Sequence, residues 1–126
     1  MVSDFEVLRI YQESRELAKQ IYAITKVGEF SRDYRLDSQI RAAAGSICDN
    51  IAEGFERQGN KEFKQFLYIA KGSAGEVRSQ LNRAHDVEFI DDETYNTLYN
   101  AVKKLSAGII HFVQSLNTFE SKGSKF

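Results

Sequence analysis

The side chains that most often perform chemistry are few in this chain of 126 residues: two histidines, His85 and His111, and one cysteine, Cys48. A di-iron site in a helical bundle needs paired Glu-x-x-His motifs that face the core. The residues three positions before the two histidines are Asn82 and Gly108, so neither histidine belongs to such a motif. With so few histidine and cysteine ligands, a closed zinc site is not expected either. We predict no metal and no cofactor.

Nucleophilic or acid–base catalysis has little support in the sequence. Ser46 and Ser73 lie in helical patterns among small residues with no histidine at a matching level, which favours packing or hydrogen bonding. Glu53 and Glu62 approach each other across a predicted turn, as the two carboxyl groups of a general-acid pair do. The alternative is that Glu53 pairs with Arg57 and that Glu62 stabilises a helix N-terminus. We therefore expect a protein without enzymatic activity, catalytic residues or a small-molecule substrate.

Helices must position these residues, because apolar side chains recur at three- and four-residue steps along the chain. The pattern predicts four helices, over about 4–27, 32–57, 60–85 and 91–119. Their N-caps are predicted to include Asp4, Asn60 and either Asp91 or Asp92. Four helices joined by short loops pack antiparallel, so the predicted fold is all-α, an up-down-up-down four-helix bundle. We assign residues 1–119 to this bundle and 120–126 to a frayed C-terminal tail.

A second pattern lies beside the apolar stripe of the second and third helices. Small residues interrupt both helices, and Gly45, Gly72 and Gly75 together lose about 3 kcal/mol of helix propensity relative to alanine. We expect another backbone to approach closely there, with polar contacts that fix the register of the contact. The alternative is a solvated face that contains serine and alanine. The residues assigned to this helix-packing or oligomer seam are Gln39, Ala43, Gly45, Ser46, Asn50, Glu53, Gly72, Ser73, Gly75 and Glu76.

The charge balance does not favour polyanions over the molecule as a whole. There are 17 basic and 18 acidic side chains, the net charge is −1, and the pI is about 6.1. A local basic run nevertheless lies around the start of the third helix, and neutralised phosphates strengthen nucleic-acid binding. The alternative is an ordinary solvated helix face. The candidate nucleic-acid-binding residues are Arg41, Arg57, Lys61, Lys64, Lys71 and Arg78.

Several short motifs recur in a specific order along the second and third helices. They are Gln39-Ile40-Arg41, Ala43-Ala44, Ser46-Ile47, Asn50-Ile51-Ala52-Glu53-Gly54, Glu62-Phe63, Phe66-Leu67, Ile69-Ala70, Gly72-Ser73 and Glu76. With these motifs, and over about residues 5–116, the chain resembles the 23S rRNA-intervening-sequence protein family. The resemblance implies an antiparallel four-helix bundle and, as in several relatives, a ring-like homopentamer. It also implies kinship with retroelement accessory proteins, which bind a reverse transcriptase and nucleic acid through a basic surface.

The chain differs from this family in one place that bears on function. The family often has two consecutive arginines after Gln-Ile, whereas Ala42 follows Arg41 here, and this difference weighs against nucleic-acid binding. Our first hypothesis is a homo-oligomeric accessory factor for RNA or for a nucleic-acid-processing protein. The alternative is a protein-interaction scaffold that binds no nucleic acid. Without a signal-peptide pattern or a run of 18 apolar residues, we expect a cytoplasmic protein that contacts no membrane.

Overall fold

The computed structural model describes residues 2–123 and 125–126. A 3₁₀ turn at Phe5–Val7 precedes the first helix, and a second 3₁₀ turn at Gly28–Arg32 joins the first helix to the second. No strand occurs in the described part of the chain. The four α-helices are α1 (Arg9–Thr25), α2 (Tyr34–Glu56), α3 (Asn60–Asp86) and α4 (Asp92–Ser121).

The helices form the predicted up-down-up-down bundle. Each helix packs against the next one in the chain, and α1 also contacts α4, which closes the bundle. The most extensive contact is between α2 and α3, and it is much larger than the contact between α1 and α4. Among the described residues, no helix has the length and apolar character that crossing a membrane requires.

One apolar core runs through the bundle and follows the three- and four-residue spacing of the sequence. Each helix contributes fully buried side chains, for example Ile21, Ile47, Leu81 and Leu105. Phe30 of the connecting 3₁₀ turn is also fully buried, so this turn is part of the core. The core therefore holds all four helices and the first connection in place.

Two of the predicted helix boundaries are confirmed by local geometry. Gly28 follows α1 with a φ of +62°, a conformation that glycine adopts without strain. At the start of α4, the Asp91 carboxylate accepts a hydrogen bond from the backbone N–H of Thr94 at 2.8 Å. This bond lowers the pKa of Asp91 below its usual value, because it favours the charged carboxylate. Asp33 caps α2 in the same way through the N–H of Leu36.

Two other N-cap predictions are wrong. Asp4 caps the Phe5–Val7 turn and not α1, because Leu8 has an extended backbone that separates the turn from the helix. Asn60 lies inside α3, and Gly59 occupies the N-cap position without a side-chain hydrogen bond. The Asn60 side-chain oxygen instead accepts a hydrogen bond from the backbone N–H of Phe126 at 3.1 Å.

The C-terminal segment differs from the frayed tail that the sequence predicts. Helix α4 continues to Ser121, two residues beyond the predicted boundary. The Phe126 ring then packs against Phe112 at a centroid distance of 4.6 Å and contacts Phe63 and Phe119 as well. Residue 124 of the predicted tail lies outside the described residues. An aromatic contact therefore holds the last residue against the bundle, although little apolar sequence precedes it.

Candidate interaction surface on the second and third helices

The polar line predicted on α2 and α3 lies where these two helices meet. At its centre, the Ser73 hydroxyl donates a hydrogen bond to the Ser46 hydroxyl at 2.9 Å. The Asn50 amide donates to the carbonyl and hydroxyl oxygens of Ser46 at 2.8 and 2.9 Å. Ser73 is buried, and the other two residues are partly buried. These bonds fix the register of α2 against α3, so the two serines serve packing and hydrogen bonding.

Polar pairs also join the two ends of this helix pair. At one end, the Arg83 guanidinium donates to the Gln39 side-chain oxygen at 3.1 Å. At the other end, Arg57 contacts the Glu53 carboxylate at 2.8 Å and the Glu62 carboxylate at 3.5 Å. The hydrogen bond with Glu53 is the main reason why the pKa of Arg57 is raised. Because an arginine bridges the two glutamates, the structure supports the ion-pair interpretation of this turn over the general-acid pair.

The three glycines do not make the close backbone contact that the sequence predicts. A Cβ atom added to Gly45, Gly72 or Gly75 would meet no neighbouring atom within 4 Å. As a contact within one chain, the prediction is therefore wrong. The reason is that these glycines lie on the outer side of the helix pair, while Ala44, Ala70 and Ala74 fill the inner side. The small residues share one surface at similar heights and do not face each other.

The close approach between α2 and α3 occurs at Gly54 instead. A Cβ atom there would lie 2.7 Å from the Cβ of Phe66 and 3.0 Å from the Cδ1 of Phe63. It would also lie 3.3 Å from the carbonyl oxygen of Phe63, which is part of the helix backbone. Gly54 is thus the position where the absence of a side chain lets the two helices come together.

A shallow groove, here called the α2–α3 groove, runs along the outer side of the helix pair. Its residue Gln80 is only 8% exposed, and its side-chain oxygen is buried without a hydrogen-bond partner among the described residues. Leaving a buried amide oxygen unpaired costs about 1–3 kcal/mol. Glu76 is exposed, and its carboxylate has no ion pair or hydrogen bond in the described part of the chain. The groove is lined by Gln39, Ala42, Ala43, Ser46, Ser73, Glu76 and Gln80.

A second shallow depression, here called the Arg41 basin, adjoins the groove on the side of α1. The Arg41 guanidinium lies over the Tyr22 ring at 4.7 Å, and its Nε donates to the buried Thr25 hydroxyl at 2.8 Å. Arg41 makes no ion pair with any described carboxylate. The basin is lined by Tyr22, Ser38, Arg41, Ala42, Gly45, Ser46 and Asp49.

The sequence analysis did not identify Gln80, Tyr22 or Thr25 as site residues. Gln80 lies on the polar line of α3, but the line does not reveal that its amide oxygen is buried without a partner among the described residues. Tyr22 and Thr25 face Arg41 across the first helical hairpin. Counting residues outward from the end of α1 at Thr25 and the start of α2 at Tyr34 places Arg41 level with Ala18, so the count does not predict this contact.

The structure separates the six predicted nucleic-acid-binding residues. Acidic partners neutralise two of them: Arg57 contacts two glutamates, and Lys64 pairs with Glu120 at 2.6 Å. Arg78 is partly buried, with its guanidinium 5.6 Å from the centre of the Tyr99 ring.

Lys61, Lys71 and Arg41 are the remaining three predicted residues. Both lysines are exposed on α3 and have no ion pair in the described part of the chain. Arg41 lies in its basin on α2. The predicted basic run is therefore not one continuous patch within a single chain.

The two histidines and the cysteine do not form one site. His85 contacts the Asp92 carboxylate at 2.7 Å and stacks on the Tyr95 ring at the turn between α3 and α4. His111 is exposed on α4. Burial is the main cause that raises the pKa of the Cys48 thiol, which makes the reactive thiolate less accessible. No group of three His, Cys, Asp or Glu side chains among the described residues has the arrangement to hold a metal ion.

Comparison with known proteins agrees with the four-helix bundle. The sequence model for the 23S rRNA-intervening sequence protein matches residues 6–111. The fold is similar to a crystal structure from Bacteroides thetaiotaomicron of a protein with unknown function from the S23 ribosomal protein family. The TM-score is 0.75 and the identity 24%, over 82% of this chain and 97% of that chain. No curated protein matches the sequence.

Proposed function

This chain belongs to the 23S rRNA-intervening sequence protein family, and from that premise we propose that it is a homo-oligomeric accessory factor for RNA or a ribonucleoprotein. In this proposal the protein has no enzymatic activity and acts in the cytoplasm. Its partners are other copies of itself and an RNA or a nucleic-acid-processing protein. The pentameric number rests on the resemblance to ring-forming relatives.

The observation that supports this proposal most strongly is the uncovered small-residue surface of α2 and α3. Gly45, Gly72 and Gly75 have open space where their side chains would be, although each costs about 1 kcal/mol relative to alanine in a helix. A neighbouring copy packed on this surface offsets that loss, because small residues let two helix backbones approach closely. The same surface carries Gln80, whose buried amide oxygen has no hydrogen-bond partner among the described residues.

RNA binding is supported by the family and by the exposed lysines of α3. The related crystal structure is described as a member of the S23 ribosomal protein family, and both family names refer to the ribosome or its RNA. Lys61 and Lys71 are exposed and carry no ion pair among the described residues, so their charges are available to phosphates. In a homo-oligomer, several copies of Lys61 and Lys71 contact one RNA strand, and the affinity rises with the number of phosphates neutralised.

Filter binding with single- and double-stranded RNA at several salt concentrations tests the proposal. We expect RNA retention that falls as the salt concentration rises. We expect the variant Lys61→Ala/Lys71→Ala to reduce the slope of log K against log salt by about 1 for each of these lysines that contacts a phosphate in one bound copy. The matched control is Lys19→Ala/Lys103→Ala, which removes the same charge from exposed positions on α1 and α4. Absence of salt-sensitive retention contradicts RNA binding. Equal slopes in the two variants place the RNA site elsewhere.

The alternative function is a scaffold that binds only proteins. The observation that favours it is that Glu53, Glu62 and Glu120 neutralise two of the predicted basic residues, in a chain of net charge −1. An oligomer that retains no RNA at low salt supports this alternative. An oligomer that retains RNA supports the accessory factor.

A further inference from the structure

The α2–α3 surface carries two incomplete polar contacts on either side of one low ridge. The ridge is formed by Ala42 and Ser46, which line both the Arg41 basin and the α2–α3 groove. On the α1 side of the ridge lies a cation without an acidic partner among the described residues, Arg41. On the α3 side lie acceptors without a donor in the same part of the chain, the carboxylate of Glu76 and the amide oxygen of Gln80. One chain thus presents a donor and its acceptors next to each other but does not join them.

The Arg41 guanidinium is held in place for a second contact. Its Nε bonds to Thr25, whose hydroxyl in turn donates to the carbonyl oxygen of Ile21 at 2.8 Å, and its plane lies over Tyr22. Its terminal nitrogens make no hydrogen bond within the described residues. Because the side chain is already ordered, a further hydrogen bond to a carboxylate costs less conformational entropy than it does for a free arginine.

The groove has the complementary chemistry. Glu76 supplies a negative charge, the hydroxyls of Ser46 and Ser73 line the groove, and the Gln80 amide oxygen has no hydrogen-bond partner in the described chain. A guest that carries a positive charge and several N–H donors fits this set of acceptors. A phosphate does not fit it, because the carboxylate repels a second anion.

We propose that Arg41 of one copy enters the α2–α3 groove of a neighbouring copy and donates a hydrogen bond to Glu76 there, and that the Gln80 amide oxygen, which is closed to solvent in the single chain, turns toward the guanidinium and accepts a second one. This inference rests on the homo-oligomer of the proposed function and assigns the contact that builds it. Ala42 and Gly45 present no bulky side chain beside Arg41, so the second copy comes close enough for the guanidinium to reach the groove. The Arg41–Glu76 pair is compatible with a reciprocal contact about a two-fold axis and with a head-to-tail contact, and the head-to-tail form closes into a ring when it repeats by rotation.

Charge reversal and mixing test the proposed pair. Arg41→Glu and Glu76→Arg each place like charges in the contact, and we expect each to weaken self-association at least about tenfold in sedimentation velocity over a concentration series. Mixing the two variants restores a salt bridge at every contact between unlike copies, so we expect a heteromeric species that neither variant forms alone. Because Arg41→Glu also loses the bond to Thr25, thermal unfolding of each variant at low concentration establishes that it is folded.

Two further variants distinguish this contact from a general effect of added charge and from an ion pair with Asp49. Glu93→Arg, at an exposed position in the first turn of α4, is the matched control for adding a positive charge and leaves assembly unchanged. Asp49 lies in the Arg41 basin itself. If mixing Arg41→Glu with Asp49→Arg restores assembly and mixing it with Glu76→Arg does not, the result contradicts the proposed pair. Normal assembly of Glu76→Arg contradicts it as well, while the homo-oligomer survives. A wild-type chain that stays monomeric contradicts the homo-oligomer itself.

Gln80 provides a test that does not depend on charge. Gln80→Met removes the unpaired amide oxygen and keeps a side chain of similar length, so unfolding of the isolated chain requires more denaturant. The same change removes an acceptor from the contact, so self-association weakens severalfold. A variant that stabilises the isolated chain and leaves self-association unchanged makes Gln80 a purely internal residue and contradicts its part in the contact.

Discussion

The glycines of α2 allow a direct comparison of an uncovered position with a tightly packed one. A Cβ atom on Gly54 would lie 2.7 Å from the Cβ of Phe66 and 3.3 Å from the carbonyl oxygen of Phe63. Because the second of these atoms belongs to the α3 backbone, the two helices must move apart to admit the methyl group. A Cβ atom added to Gly45 would have no neighbouring atom within 4 Å, so this position admits a methyl group freely.

The two substitutions to alanine therefore differ in one energy term. Both gain about 0.5–1 kcal/mol of helix stability, because alanine loses less backbone entropy than glycine. Gly54→Ala also overpacks the α2–α3 contact, at a cost of about 1–3 kcal/mol. Since the helix gain is common to both, the free energies of unfolding of Gly45→Ala and Gly54→Ala should differ by about 1–3 kcal/mol.

Urea unfolding followed by circular dichroism measures this difference, provided that both variants have the same m-value. We expect the midpoint of Gly45→Ala to lie above that of the wild type and far above that of Gly54→Ala. The series is run at the lowest usable protein concentration, since self-association adds stability that depends on concentration. Equal midpoints for the two variants would refute the assignment of Gly54 as the close contact. At high concentration the advantage of Gly45→Ala should shrink, because the methyl group obstructs a neighbouring copy.

Two more predictions concern the ends of α4. Phe126→Ala should lower the free energy of unfolding by about 1–2 kcal/mol, because it removes aromatic contacts with Phe63 and Phe112. An unchanged urea midpoint would contradict this contact and support the frayed tail that the sequence predicts. Asp91→Asn should flatten the acid dependence of stability. Because the pKa of Asp91 is lowered in the folded state, its stabilising effect is present above the unfolded pKa and is lost as the pH falls through the folded pKa. Thermal unfolding between about pH 5 and pH 2 measures this effect, and parallel pH profiles for Asp91→Asn and the wild type would contradict it.

Signals that act within a few residues were predicted well from the sequence. The Asp91 cap, the helix stop at Gly28 and the ion pair between Glu53 and Arg57 each depend on neighbours close in the chain. The bundle itself follows from apolar spacing and short loops. The polar line that contains Ser46 and Ser73 was also indicated, and it lies at the contact between α2 and α3.

Contacts between distant residues were predicted less well, for physical reasons. A glycine inside a helix indicates either a close neighbour or an uncovered surface, and the sequence alone does not distinguish Gly54 from Gly45. The stacking of Arg41 on Tyr22 depends on side-chain rotamers that helix periodicity does not specify. Asn60 has a favourable N-cap side chain, but the helix begins one residue earlier and the side chain bonds to Phe126 instead.

The molar mass of the native protein in solution is the most direct test of the central claim, that other copies of this chain cover the small-residue surface of α2 and α3. Size-exclusion chromatography with multi-angle light scattering over a range of concentrations gives this mass. We predict a multiple of the chain mass of 14.4 kDa, with the multiple falling in Glu76→Arg. A mass of 14.4 kDa at every concentration would contradict the claim.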